Sequence, residues 1–115
     1  AMTPDGQVPA TLRAGDLVVD QARWTVHQAG RPVELSPTEF RLLVYLMRNQ
    51  GRVLTREQIR ADVWDRGAGP QLEIVATYVS YLRRKLDSRG PPLIHTQRGA
   101  GYRLGPAGAR PARDD

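Results

Sequence analysis

The chain has 115 residues, of which 40% are apolar and 25% charged, and its formal net charge is +5. At about 100–200 residues per domain this length predicts a single domain, and the composition excludes a wholly disordered chain. No apolar run approaches the roughly 18 residues of a membrane span. The first residues also lack the basic and apolar regions of a signal peptide.

Cysteine is absent, which excludes disulfides and thiolate metal sites and favours a reducing compartment. His27 and His95 cannot complete a zinc site by themselves. The sequence shows no nucleophile–base pair, metal-ligand cluster or phosphate-binding loop, and Gly99-Ala100-Gly101 is too short for a dinucleotide fingerprint. We therefore expect a cytoplasmic protein that is not an enzyme and uses neither cofactor nor metal.

The N-terminal third predicts a linker followed by a small sheet. Residues 1–11 have few apolar positions and predict a linker, and residues 105–115 predict a disordered tail. Between residues 12 and 35, apolar side chains alternate with period two, which predicts short antiparallel strands. The alternating apolar pairs are Leu17 with Val19, Trp24 with Val26, and Val33 with Leu35.

Two helix starts follow the predicted strands. Ser36-Pro37-Thr38-Glu39 combines a capping residue, a proline suited to the first helical position and the glutamate of a capping box. This motif predicts a helix over residues 37–50. Thr55 and Gln58 repeat the capping box and predict a second helix over residues 56–64.

A third helix and a hairpin are predicted in the last third of the chain. Residues 72–88 predict a helix whose buried face consists of Val75, Val79, Leu82 and Leu86. Two short strand-like sequences then flank Arg98-Gly99-Ala100-Gly101, which predicts a hairpin with a glycine-rich tip.

The outer face of the third helix suits contact with a nucleic acid. A helix of this length spans about 25 Å and fits a major groove about 12 Å wide. Hydroxyl, guanidinium and apolar groups that match base edges or phosphates lie on this face. They are Ile74, Thr77, Ser80, Tyr81 and Arg84, with Arg83 beside them. An ordinary solvated amphipathic helix accounts for the same composition equally well.

The hairpin favours the nucleic-acid interpretation. Arg98 lies on a thin turn that can enter a minor groove, whose negative potential attracts arginine. Taken alone, an exposed arginine in a tight turn favours an ordinary surface turn without function. Residues 72–105 carry six basic side chains against two acidic ones. Two helices, a basic helix and a basic hairpin follow one another in winged-helix order, and we expect an α+β fold.

Four blocks of the sequence resemble the effector domain of OmpR/PhoB-type response regulators. They are LSPTEFRLL (35–43), VLTR (53–56) with VW (63–64), YLRRKL (81–86) and HTQRGAGYR (95–103). The resemblance covers about residues 12–104. It implies a winged helix-turn-helix with an N-terminal four-stranded antiparallel sheet, three helices and a C-terminal β-hairpin wing.

The resemblance also implies a set of DNA-binding positions. Among them, Thr96 corresponds to a phosphate contact and Arg98 to a minor-groove contact, while Trp64 could equally be a lid on the core. The implied positions are Trp64, Ile74, Thr77, Tyr78, Ser80, Tyr81, Arg83, Arg84, Thr96 and Arg98. The loop that touches RNA polymerase in some relatives corresponds to Asp65, Arg66, Gly67, Ala68, Gly69, Pro70 and Gln71.

The expected function is sequence-specific binding of double-stranded DNA by the output domain of a bacterial two-component transcription regulator. The resemblance implies a receiver domain N-terminal to this stretch, a sensor kinase, and a monomer that pairs on direct repeats of DNA. The 115 residues do not include a receiver domain. The linker-like residues 1–11 favour the interpretation that this domain was cut out of a longer protein. Ser80 and Tyr81 occupy positions where several relatives have arginine. Glu73 is acidic near the start of the third helix, where some relatives are basic. The base preference of those relatives therefore cannot be transferred to this sequence.

Two alternatives remain open from the sequence. A winged-helix module could use its basic face to bind an acidic protein rather than DNA. The chain could also belong to a single-chain regulator without control by phosphorylation.

Overall fold

A computed structural model describes residues 10–64, 71–86 and 92–105. Within these residues the elements are β1 (Thr11–Ala14), β2 (Leu17–Asp20), β3 (Thr25–Gln28), β4 (Arg31–Pro32), α1 (Pro37–Arg48), α2 (Arg56–Val63), α3 (Glu73–Leu86), β5 (Ile94–Gln97) and β6 (Gly101–Leu104). The first four strands form an antiparallel sheet in the order β1-β2-β3-β4, and β5 pairs with β6 in a separate hairpin. The predicted α+β winged-helix architecture is confirmed.

The domain is described from just before β1 to just after β6. Strand β1 begins at Thr11, one residue before the expected start of the folded domain, and β6 ends at Leu104. Of the predicted linker and tail, only residues 10, 11 and 105 are described. The tail prediction is wrong at Gly105, which is buried and whose N–H donates to the Leu93 carbonyl at 2.8 Å, so the folded domain includes it.

The alternation predicted for the N-terminal sheet is correct in β2 and wrong near Trp24. Leu17 and Val19 are fully buried. Trp24 lies in the turn between β2 and β3, with a φ of 57°, and is 57% exposed. The carboxylate of Asp20 accepts hydrogen bonds from the backbone of the following turn, and this lengthens the turn to include Trp24. The indole instead stacks on Phe40, with 4.4 Å between ring centroids.

The strand predicted at Val33 and Leu35 is also wrong. Strand β4 contains only Arg31–Pro32. One further hydrogen bond, from the Val33 N–H to the Val26 carbonyl at 2.9 Å, follows it. The chain then leaves the sheet, because Ser36 must reach the first turn of α1 to cap it.

Both predicted helix starts are confirmed. The Ser36 hydroxyl accepts from the Glu39 N–H, and the Glu39 carboxylate accepts from the Ser36 N–H. Thr55 and Gln58 make the same reciprocal pair at the start of α2. Helices α1 and α2 end slightly earlier than predicted. In the described part of the chain no helix has both the length and the apolar content to cross a membrane.

The three helices bury their apolar faces in one core. The four apolar residues predicted for the inner face of α3 are at most 1% exposed. They pack in a cluster with α1, α2 and the hairpin, which contribute Leu42, Leu43, Leu46, Ile59, Ile94 and Leu104 among others. Each such side chain stabilises the fold by roughly 1.5–3 kcal/mol through burial. The rotation of α3 about its axis, and hence its outer face, is fixed by this packing.

An ion pair connects α1 to α3. The Lys85 ammonium lies 2.7 Å from a carboxylate oxygen of Glu39 and donates to the Glu34 carbonyl at 3.1 Å. Burial alone would raise the pKa of Glu39. The hydrogen bond and charge of Lys85, together with the hydrogen bonds to Ser36, outweigh burial and hold that pKa below its ordinary value.

The Glu39→Gln variant tests this pair, because glutamine keeps an acceptor for the Ser36 N–H and removes the charge. A lowered folded-state pKa stabilises the folded protein above the ordinary glutamate value of about 4.3, and this contribution disappears as pH falls through the folded value. The Lys85 side chain is 41% exposed, so we expect a loss of about 0.5–2 kcal/mol at pH 7.

Urea unfolding between pH 3 and pH 7 measures the effect. The gap between wild type and Glu39→Gln should close towards pH 3, whereas Glu57→Gln, at an exposed position in the first turn of α2, should change little. A gap that does not depend on pH would contradict this role of the pair.

Candidate nucleic-acid interface

The outer face of α3 carries one continuous exposed stripe, which we call the α3 stripe: Thr77, Ser80, Tyr81 and Arg84. These residues are spaced three and four apart, so they follow one another along a single side of the helix. The buried apolar residues of α3 hold this side away from the core. The structure therefore places these four predicted site residues together and accessible.

Three members of the α3 stripe have local contacts on their own helix. The Thr77 hydroxyl donates to the Glu73 carbonyl one turn earlier, at 3.3 Å. The guanidinium carbon of Arg84 lies 5.8 Å from the centre of the Tyr81 ring, a distance at which cation and ring attract each other. Tyr81 remains 38% exposed.

A row of aromatic rings connects the end of α2 to the α3 stripe. The Trp64 ring lies 5.5 Å from that of Tyr78, and Tyr78 meets Tyr81 edge to face at 5.3 Å. Trp64 and Tyr78 are half-buried, as is Ile74 at the start of α3. Trp64 thus packs against the core and also reaches the helix that carries the stripe.

The hairpin presents Arg98 at its tip. Residues 98–100 form the turn between β5 and β6, and the Ala100 N–H donates to the Gln97 carbonyl at 2.9 Å. Gly99 has a φ of 77°, which a glycine adopts without strain. Both Arg98 and Thr96 are exposed.

The inner strand of the hairpin is attached to the segment between α1 and α2. Leu54 and Tyr102 exchange two backbone hydrogen bonds, at 2.8 and 2.9 Å, and the Gly51 N–H donates to the Leu104 carbonyl at 2.9 Å. Strand β6 therefore lies between β5 on one side and this segment on the other.

Arg83 attaches the outer strand of the hairpin to α3. Its Nε donates to the Ile94 carbonyl at 3.2 Å, and its Nη2 donates to the Thr96 hydroxyl. Its guanidinium carbon lies 5.8 Å from the centre of the Tyr102 ring. The side chain is half-buried, and it brings α3 and the hairpin together beside the α3 stripe.

Sequence reasoning missed one group of residues near the hairpin. A cavity of about 400 Å³ separates the start of α2 from the hairpin and is lined by Thr55, Arg56, Glu57 and residues 96–102. Arg56 is exposed and adds a cation to the cavity that Arg98 also lines. The capping box reveals that a helix starts at Arg56, but only the fold brings this start close to the hairpin. A larger groove of about 610 Å³, at Trp24 and Phe40, has none of the predicted site residues in its lining.

The predicted polymerase-contact loop lies almost entirely outside the described residues. Residues 65–70 are not described, and Gln71 is exposed, with its carbonyl accepting the Ile74 N–H at 3.0 Å. Its role stays a prediction.

The N-terminal sheet, three helices and basic hairpin define the class as a winged-helix DNA-binding domain. A family model described as "Transcriptional regulatory protein, C terminal" matches residues 30–104. The chain belongs to this family, and it is an OmpR/PhoB-type DNA-binding domain of response regulators, which act in the regulation of transcription.

Curated relatives and solved structures agree with this membership. The transcriptional regulatory protein TrcR of Mycobacterium tuberculosis is 50% identical over 83% of this chain and 37% of its own length. The phosphate regulon regulator PhoB of Rhizobium meliloti is 44% identical over 81% of this chain and 41% of its own length. The chain therefore spans less than half the length of these relatives.

A solved structure with DNA shares the fold. The DNA-binding domain of Klebsiella pneumoniae RstA, in complex with the RstA box, matches with a TM-score of 0.73 and 28% identity, over 85% of this chain and 99% of that domain.

The anchoring of β6 depends on Gly101 and is testable there. Gly101 has a φ of 149°, and a Cβ at this position would overlap the Leu54 carbonyl, whereas a Cβ at Gly99 meets only open space. We expect Gly101→Ala to destabilise the fold by about 3 kcal/mol or more. Gly99→Ala should cost about 1–2 kcal/mol from backbone conformation alone.

Urea unfolding and hydrogen exchange at the Tyr102 amide measure the two variants. Gly101→Ala should lose protection at Tyr102 and Gly99→Ala should keep it. Equal stability of the two variants would show that close packing at Gly101 is not what anchors the hairpin.

Proposed function

We propose that this domain binds double-stranded DNA sequence-specifically, with α3 in the major groove and Arg98 in the adjoining minor groove. The observation that carries the proposal is the direct attachment of the hairpin to α3 through Arg83. Because of this attachment, the α3 stripe and the hairpin act as one unit. One unit with two basic projections can contact two neighbouring grooves of one duplex.

The side chains divide into base-reading and backbone-binding groups. Arg84 can form paired hydrogen bonds to guanine, Thr77 and Ser80 can bond to base edges or phosphates, and Tyr81 offers an exposed ring and hydroxyl. Phosphate contacts hold a protein in register but carry no base preference.

We assign the remaining predicted site residues to the edge of the interface, next to the sugar–phosphate backbone of the duplex. Trp64, Ile74 and Tyr78 are half-buried at the edge of the interface, where they support the α3 stripe and border the sugar–phosphate backbone. Thr96 is assigned a phosphate contact. Arg83 lies where α3 meets the hairpin.

The complete protein is the subject of a wider proposal. We propose a receiver domain N-terminal to this domain, controlled by a sensor kinase, and a cytoplasmic regulator that pairs on direct repeats of DNA and contacts RNA polymerase through residues 65–71. Two domains on half-sites about one helical turn apart bind more tightly than one, because the second contact is made at a high effective concentration. We further propose that the domain carries no catalytic activity.

Single substitutions test the division of roles. A preferred duplex is first selected from a random library, and affinities are then measured by fluorescence anisotropy. We expect Arg98→Ala to weaken binding about tenfold on most sequences. Tyr81→Ala and Arg84→Ala should instead reduce discrimination between preferred and altered sites, by about 1–3 kcal/mol per lost base contact.

Arg23→Ala is the matched control, because it removes one exposed positive charge from the turn between β2 and β3. It should bind the selected duplex nearly as wild type does. If all three interface variants also bind like wild type, the site assignment is wrong. Binding of an acidic protein through this face, without binding of duplex DNA, would favour a protein-interaction module.

Salt dependence gives an independent measure of the interface. With about three to five phosphates neutralised, the logarithm of affinity should fall with the logarithm of salt concentration at a slope of about −3 to −5. Arg98→Ala should make the slope shallower by about 1, whereas Arg23→Ala should leave it unchanged. A slope near zero for the wild type would contradict binding through phosphates.

A further inference from the structure

We propose that Arg83 is a positioning residue that sets the place of the hairpin tip relative to α3, rather than a side chain that primarily binds DNA. The inference rests on the proposed DNA binding, which it deepens. It separates the roles of two adjacent arginines, Arg83 and Arg84, both of which the family resemblance implies to be DNA-binding.

The contacts of Arg83 converge on the hairpin. Its Nε and Nη2 donate to two different residues of β5, Ile94 and Thr96, and the guanidinium lies near the ring of Tyr102 on β6. One planar group thus touches both strands. A guanidinium can make these directed bonds together because its donors lie in a fixed fork, which an ammonium group lacks.

Arg84 has a different environment. It is exposed, and its described contact is with Tyr81, a neighbour on its own helix, at 5.8 Å. Movement of Arg84 towards a base or a phosphate therefore breaks no bond between α3 and the hairpin. Movement of Arg83 would break both of its hydrogen bonds to β5.

The position of Arg83 gives it control over the tip. Strand β6 is held on its inner side by the hydrogen bonds with Leu54, and in the described part of the chain β5 pairs only with β6. Buried Leu93 and Ile94 hold the base of the hairpin. Beyond them, the bond from Arg83 to Thr96 is the described side-chain contact nearest to Arg98. Without it, the outer part of the hairpin can pivot about the Leu54–Tyr102 pair.

Hydrogen exchange and ¹⁵N relaxation of the free protein provide the first test. Arg83→Ala and Arg83→Lys should both increase motion at residues 97–100, whereas Arg84→Ala should not. Thermal unfolding of each variant verifies that the domain is folded. Unchanged tip dynamics in folded Arg83→Ala would overturn the proposal, whatever the DNA affinity.

A double-mutant cycle on the selected duplex provides the second test. If Arg83 acts through the hairpin, Arg98→Ala should cost about tenfold in wild type but less than about threefold when Arg83 is already alanine. Arg83→Lys should bind about as weakly as Arg83→Ala, although it keeps the charge.

The contrasting outcomes are distinct. Additive losses, with full affinity restored in Arg83→Lys, would overturn the proposal and identify Arg83 as a simple phosphate contact. A more mobile tip without any loss of DNA affinity in Arg83→Ala and Arg98→Ala would support the positioning of the hairpin by Arg83 and reject the proposed DNA interface.

Discussion

The attachment of the hairpin to the helical body is the constraint on which the rest of this domain depends. A two-stranded hairpin alone is only marginally stable in water. Here Leu54 bonds to β6, and Arg83 bonds to β5 from the other side. Gly101 allows the backbone of β6 to approach Leu54 because it has no Cβ. These contacts fix the hairpin on the helical body, so that it can hold Arg98 at a defined position relative to α3.

The burial of α3 supplies the second half of the same arrangement. Its four inner residues are almost completely inaccessible to solvent, so the helix cannot rotate without exposing apolar surface. The packing of the core consequently fixes the direction in which the α3 stripe faces. Arg83 lies at the border between these two faces, where it reaches the hairpin without entering the core. The ring contacts of Tyr78 with Trp64 and Tyr81 also connect α3 to the end of α2.

The helices are held to one another by polar contacts as well as by the core. The Glu39 carboxylate caps α1 and receives Lys85 from α3, so one group serves both the local helix start and a tertiary contact. The Tyr45 hydroxyl donates to the Asp62 carboxylate at 2.6 Å and links α1 to α2. Burial and this carboxylate raise the pKa of Tyr45 to about 12. A domain is stable by only about 5–15 kcal/mol, so contacts worth about 1 kcal/mol each contribute measurably.

The sequence by itself determined the features that depend on neighbouring residues. Capping boxes at Ser36 and Thr55, the inner face of α3 and the glycine-rich turn after Arg98 are all local patterns, and each appears where it was predicted. The winged-helix order followed from them together with the family resemblance. The strand positions predicted for Trp24 and for Val33 and Leu35 were wrong. Hydrogen bonds in the turn at Asp20, and the turn of the chain towards α1, outweigh the alternation of apolar residues over segments this short.

Only the tertiary structure decided how these elements meet. Arg83 and Arg84 are adjacent and chemically identical in the sequence, yet one is bonded to the hairpin and the other is exposed. Arg56 comes close to the hairpin although about forty residues separate them along the chain. Contacts between residues so far apart depend on how helices and strands pack, and packing is a property of the whole core that no short stretch of sequence encodes.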